Sequence, residues 1–123
     1  MSHVDDAVKI ENEWRRQMDV LARARSDNPS FDAIFVAVYE HPTLRALWPF
    51  PSHGTVSFYE TAWPPHPAPR PDRLGFVICD GPPFNVYRGI GFDHLVGAAS
   101  TVEGAVALLA ACISGLTGTD PTP

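Results

Sequence analysis

Lysine is almost missing from this chain: Lys9 stands alone, and the other eight basic residues are arginines. Against 14 acids this leaves a net charge of −5, which argues against nucleic acid or an anionic membrane as partner, because both reward clustered basic side chains. Cysteine is scarce too. Cys79 and Cys112 are too few and too isolated for a disulfide framework or a zinc site, and each lies in an apolar run where it reads as a small core residue. No apolar stretch approaches the roughly 20 residues that span a bilayer. The start Met1 to Asp6 is polar, without the basic-then-apolar pattern of a secretory leader. A cytoplasmic location is expected.

Catalytic signatures are also lacking. His41, His53, His66 and His94 are spaced too widely to suggest a metal site, so no metal and no cofactor is expected. No serine lies in a Gly-x-Ser-x-Gly elbow, and a triad built from Ser52, His53 or His94 with Asp80 or Asp93 has no local geometry behind it. Gly89-Ile90-Gly91 lacks a third glycine and the strand-loop-helix context of a phosphate cradle, so it reads as a hairpin turn. No catalytic residue is assigned, and the balance of the sequence leans away from an enzyme.

What is present fits one domain. A chain of 123 residues with 45% hydrophobic content can bury its own core. The domain is expected over residues 1–116, with a disordered tail over 117–123. Residues 5–25 carry Ala7, Ile10, Trp14, Met18 and Leu21 at helical spacing, with Glu11/Arg15 and Asp19/Arg23 as acid-before-base pairs on the outside. After a break at Ser26-Asp27-Asn28-Pro29, Ser30 is expected to cap a second helix bearing Phe31, Ile34, Phe35 and Val38, although Ile34 to Tyr39 also suits a strand. Pro42 starts a short helix that Pro49 must stop.

Past Gly54 the period changes to two. Strands are expected over Thr55–Tyr59, Leu74–Cys79, Phe84–Arg88 and Phe92–Val96, where Asp93 and His94 would point to opposite faces. Trp63 to Pro71 is too rich in proline for a helix or central strand and reads as an exposed polyproline-like connection. Ser100-Thr-Val-Glu103 reads as a capping box opening a helix with Val102, Val106, Leu109 and Ile113 on one face. The expected fold is α+β: an antiparallel three- to four-stranded meander covered by the N-terminal and C-terminal helices. Trp14, Leu21, Phe35, Phe58, Val77 and Leu109 are the expected core.

The junction from Glu40 to Tyr59 concentrates the polar and aromatic groups. Leu44 and Leu47 should face the core and leave Arg45 outward near Trp48 and the Pro-Ser-His turn; an arginine beside aromatics is a favoured recognition element. The alternatives are that Arg45 pairs with a local glutamate such as Glu40, or ties the turn to the first helix, with Ser52 and His53 bonding the turn itself. The pattern His41-Pro-x-Leu-Arg45-x-Leu-x-Pro49-x-x-Ser52-His53-Gly54-x-Val-x-Phe58, with Thr101-Val-Glu103-Gly-Ala-Val106 at the last helix, resembles a family of small actinobacterial proteins of unknown function. Some of its members are labelled natural product biosynthesis proteins. The resemblance spans about residues 10–115 and implies an α+β fold in an actinobacterial setting, which the arginine-for-lysine bias of a GC-rich genome also suits. It implies no reaction.

Two functional expectations follow. The first is a small accessory or adaptor protein that binds another protein through the 41–54 junction and the proline-rich loop, using His41, Arg45, Trp48, Ser52 and His53. The second is a small-molecule or catalytic pocket formed by His53, Arg45, Tyr87 and His94. Convergence of those four side chains on a concavity would favour the pocket, and their dispersal the adaptor. Trp48, Phe50 and Trp63 look exposed enough to make a homodimer the other expected association.

Overall fold

The computed structural model describes residues 3–24, 27–65 and 67–117. Its elements, in chain order, are α1 (His3–Arg23), α2 (Pro29–Tyr39), α3 (Pro42–Arg45), β1 (Trp48–Ser52), β2 (Thr55–Tyr59), β3 (Arg73–Ile78), β4 (Phe84–Arg88), β5 (Leu95–Ala99) and α4 (Val102–Thr117). The strands form one antiparallel meander in the order β1-β2-β3-β4-β5. The class is α+β as expected, but the sheet has five strands, one more than the upper expectation. The last described residue, Thr117, is helical; residues 118–123 of the expected tail lie outside the described residues, as do Arg25 and His66.

The extra strand is β1, which the prolines concealed. A two-residue loop, His53-Gly54, makes Ser52 and Thr55 the first cross-strand pair, and the register runs from there through Phe50–Ser57 to Trp48–Tyr59. In such a hairpin the loop-flanking pair exchanges backbone bonds and alternate residues repeat the exchange. Trp48, Phe50 and Ser52 therefore bond to β2, while Pro49 and Pro51 occupy positions whose missing N–H would face away from the sheet. Proline is tolerated in a strand only in such places.

The other difference in the strands lies at the opposite edge. The segment expected as Phe92–Val96 pairs instead as Leu95–Ala99, with a bulge opposite Val86 and Tyr87. The amide of Arg88 donates to the carbonyl of His94 (2.9 Å), which closes the hairpin before the ladder begins. Asp93 and His94 are thus in a loop and do not alternate across a strand. Phe92 swings its ring edge onto Phe76 and Tyr87 (centroids 5.4 and 5.2 Å) instead of joining the ladder.

Two helix caps move by one or two residues. Asn28, not Ser30, caps α2: its Oδ1 accepts from the amides of Ser30 and Phe31 (3.0 and 3.2 Å), and Pro29 supplies the first helical position. This frees Ser30 Oγ to donate to the Gly81 carbonyl at 3.4 Å. Thr101, not Ser100, caps α4 by accepting from the Gly104 amide at 3.0 Å, so no box forms with Glu103.

All four helices lie on one face of the sheet, and the core fills the space between. Trp14, Ile34, Val38, Leu44, Val56, Phe58, Val86, Leu109 and Ile113 are fully buried there. Trp14, Phe35, Phe58, Val77 and Leu109 meet their expectation; Leu21 is half-buried. Trp14 also donates its indole N–H to the Leu47 carbonyl at 2.9 Å, fastening α1 to the entry of β1. Gly75 is required on β3, since a Cβ there would come within 2.9 Å of the Tyr87 carbonyl. The other face of the sheet carries the row Phe50, Ser57, Phe76, Tyr87, Leu95, set by the register across all five strands. Among the described residues no helix packs on it, although Ser57 and Phe76 are buried there by neighbouring side chains.

Candidate functional site

The junction is largely spent on structure. His41 is the N-cap of α3, with Nδ1 accepting from the Thr43 amide at 3.2 Å. Arg45 does not face solvent freely. Its Nη2 donates to both carboxylate oxygens of Glu11 (2.8 and 2.7 Å), Nη1 donates to the Tyr39 carbonyl at 3.4 Å, and the guanidinium lies 3.9 Å over the Tyr39 ring. Arg45 therefore ties the short helix to α1 rather than to Glu40. A charge-assisted contact of this type is stronger than a neutral one, though half-exposure tempers it.

Trp48 and Phe50 are not bare rings either. Trp63, from the proline-rich connection, folds onto the open sheet face against Trp48 (6.3 Å), Phe50 (4.6 Å) and Tyr59 (5.2 Å). Arg70 lies 4.4 Å above Trp63. The aromatic set that suggested a homodimer is thus half-buried by its own loop. Asp6 anchors that loop to α1 by accepting from the Ala62 amide at 3.1 Å.

The hairpin tip is different. His53 and Gly54 have φ of +51° and +78°, both left-handed, as a type I′ turn demands. Glycine or asparagine normally fills such positions, and histidine there carries strain. Thr55 Oγ1 donates to the Ser52 carbonyl at 2.7 Å, and the Gly54 carbonyl accepts from the Cys79 amide at 2.8 Å, so the turn is held from both sides. The His53 imidazole remains exposed. Beside it, Pro51, Ser52 and Gly54 face Asp27, Asn28 and Phe31 across a hollow of about 310 Å³.

Tyr87 stacks on Phe76 (5.0 Å) on the open face, next to Arg73, whose guanidinium lies 4.0 Å over Phe76 and donates to Ser57 Oγ and the Gly89 carbonyl. His94 is exposed in the β4–β5 connection. His53 turns the chain at one end of the sheet and His94 at the other, roughly 17 Å apart along a five-residue strand and about 14 Å across three strand spacings. Arg45, His53, Tyr87 and His94 therefore do not share a cavity. Among the described residues no group of three His, Cys, Asp or Glu side chains could hold a metal ion. Burial pushes the Cys79 thiol up to about 12, and nearby Asp80 adds to the effect, which disfavours the thiolate form that a cysteine nucleophile needs. No helix among the described residues is long and apolar enough to cross a membrane.

Sequence reasoning missed the most exposed large apolar side chains among the described residues. Ile90 (63% exposed), Phe92 (68%), Leu95 (56%) and Val96 (39%) cluster at the β4–β5 connection and the outer edge of β5. Reading Phe92–Val96 as an alternating strand hid them, because alternation promises that half the side chains are buried. The available signal was Ile90 and Phe92 beside Gly89 and Gly91: large apolar residues in a turn have nothing to pack beneath them.

The model of a family of unknown function, DUF6193, matches residues 8–116, and the chain belongs to that family. No curated protein and no solved structure matches it.

Proposed function

We propose that this member of the family is a non-enzymatic interaction module that binds another protein. The observation that carries the reading is the exposed apolar cluster Ile90, Phe92, Leu95 and Val96. Single exposed apolar residues, such as Val8 and Val20 on α1, need no explanation, but four gathered on one corner mark a contact surface. The cluster continues into Tyr87 on the open face, whose ring packs against Phe92 and lies near Arg73, and aromatic and arginine side chains are the residue types that dominate binding energy at interfaces. The dispersal of Arg45, His53, Tyr87 and His94 supports the same reading. The 41–54 junction takes part through its hairpin tip, and the proline-rich loop through Trp63 and Arg70. A setting in actinobacterial natural product biosynthesis is part of this proposal.

A small-molecule site is the second reading, favoured by one observation: the strained His53 beside the hollow lined by Phe31 and Pro51. Co-purification from the native host, with mass spectrometry of proteins and retained metabolites, tests both. An Ile90→Ser/Leu95→Ser double variant should lose the co-purifying protein while melting within about 0.5 kcal/mol of the parent, as surface changes do. A metabolite retained by the parent and lost in His53→Asn, with no protein partner, would instead establish the hollow as the site.

A further inference from the structure

On the helical side of the molecule, away from both the β4–β5 corner and the hairpin tip, α2 is apolar on two faces. Phe31, Ile34, Phe35 and Val38 point into the core. At 100° per residue, Pro29, Ala33 and Val36 lie on the opposite side of the same helix, with Ala37 on its flank, half-buried against the core. A helix apolar all round is ordinarily covered all round, yet here the second face forms one wall of an open furrow of about 660 Å³. Val102 and Glu103 at the start of α4 form the other wall.

The rim of this furrow is acidic. Asp32, Glu40 and Glu103 line it, Asp32 buried and the two glutamates exposed, and neither α2 nor α4 contains a single lysine or arginine. Asp32 and Glu103 stand in first turns, where the positive end of a helix favours them. Glu40 does not: it is the C-cap of α2, at the end where a carboxylate is disfavoured, so the helix itself gives no reason for it. The three carboxylates do not form a cation cage, since no set of three such groups among the described residues can hold a metal ion.

We infer that this furrow is a docking groove for a cationic amphipathic segment of another protein. Small apolar side chains of the segment lie on Ala33, Val36, Ala37 and Val102, and its lysines or arginines meet the exposed Glu40 and Glu103. Charge selects the occupant. A second copy of this chain, at −5, would bring more carboxylates to an acidic rim, whereas a basic segment is steered in and neutralises it. Helix-in-groove recognition uses this arrangement of an apolar floor and a charged border.

The test is NMR titration of the full chain with three synthetic peptides. One carries a leucine and alanine stripe flanked by lysine and arginine; the second has every basic residue changed to glutamate; the third keeps the basic residues and replaces the apolar stripe with glycine and serine. The first should shift amide signals of residues 29–40 and 102–103, weaken as salt is raised, and bind about tenfold less tightly to the Glu40→Lys variant. Glu40 is exposed, so that variant should fold; Glu103→Gln is the second variant, with a smaller loss. The other two peptides should bind weakly or not at all. Absence of shifts with the first peptide overturns the inference, as do shifts confined to the β4–β5 corner, binding indifferent to Glu40→Lys, or equal binding by the stripe-less peptide. None of those results overturns the proposed contact surface at Ile90 and Leu95.

Discussion

The junction from Glu40 to Tyr59 and the corner from Gly89 to Val96 invert one another. The junction is dense in histidine, arginine, proline and aromatic side chains, and the fold uses nearly all of them internally: His41 caps, Arg45 clamps Glu11, Pro49 and Pro51 shape an edge strand, Trp48 and Phe50 lie under Trp63. The corner has an unremarkable sequence, yet it leaves large apolar groups in solvent. Chemical variety in a stretch of chain therefore reports demand for local partners as readily as it reports function. What separates the two is whether each group finds its partner within the fold.

That contrast can be broken by substitution. The largest effect is expected where the junction is fastened to α1. Trp14→Ala removes a fully buried ring and the donor to the Leu47 carbonyl, and should cost about 3–5 kcal/mol in chemical denaturation. Arg45→Ala comes next. Losing the Glu11 pair, which is part-exposed, and the stacking on Tyr39 should cost about 1–2 kcal/mol. An Arg45→Ala variant as stable as the parent would show that the junction is not spent on structure and would return Arg45 to the list of binding groups. His53→Asn should move stability the other way, raising it by about 0.5 kcal/mol, because asparagine suits the left-handed turn position. The smallest change in stability is expected of the Ile90→Ser/Leu95→Ser pair, whose effect belongs in partner binding. If that pair unfolds the protein, the corner is core-like and the comparison fails.

Local patterns made much of the fold legible. β2 and β4 stand where period-two alternation ends in glycine, proline and aspartate turns, and the stripe through Ile10, Trp14 and Met18 identified the buried side of α1. β1 was not legible, because proline reads as a strand breaker unless the register is known, and the register depends on the positive φ of His53. β5 was displaced because the Arg88–His94 backbone bond, a tertiary detail, decides where the ladder starts. For the candidate site, the sequence singled out the junction residues but not the contacts that hold them within the fold. The Arg45–Glu11 clamp joins positions 34 residues apart, and no local window contains both. The furrow between α2 and α4 escaped for the same reason: α2 looks like an ordinary buried helix until its second face is seen to line an open furrow whose other wall is the start of α4.

Pro49 and Pro51 also set a limit on how such chains can join. Sheets extend when the outer strand of one molecule offers amide hydrogens to the next. β1 has none to offer at either proline, whereas β5 has no proline. In the language of polymerisation, each chain is monofunctional: it owns one reactive end and one stopper. Edge-to-edge growth that starts at β5 meets a terminator on the far side of every subunit, so it ends at a pair and cannot run on into a fibre.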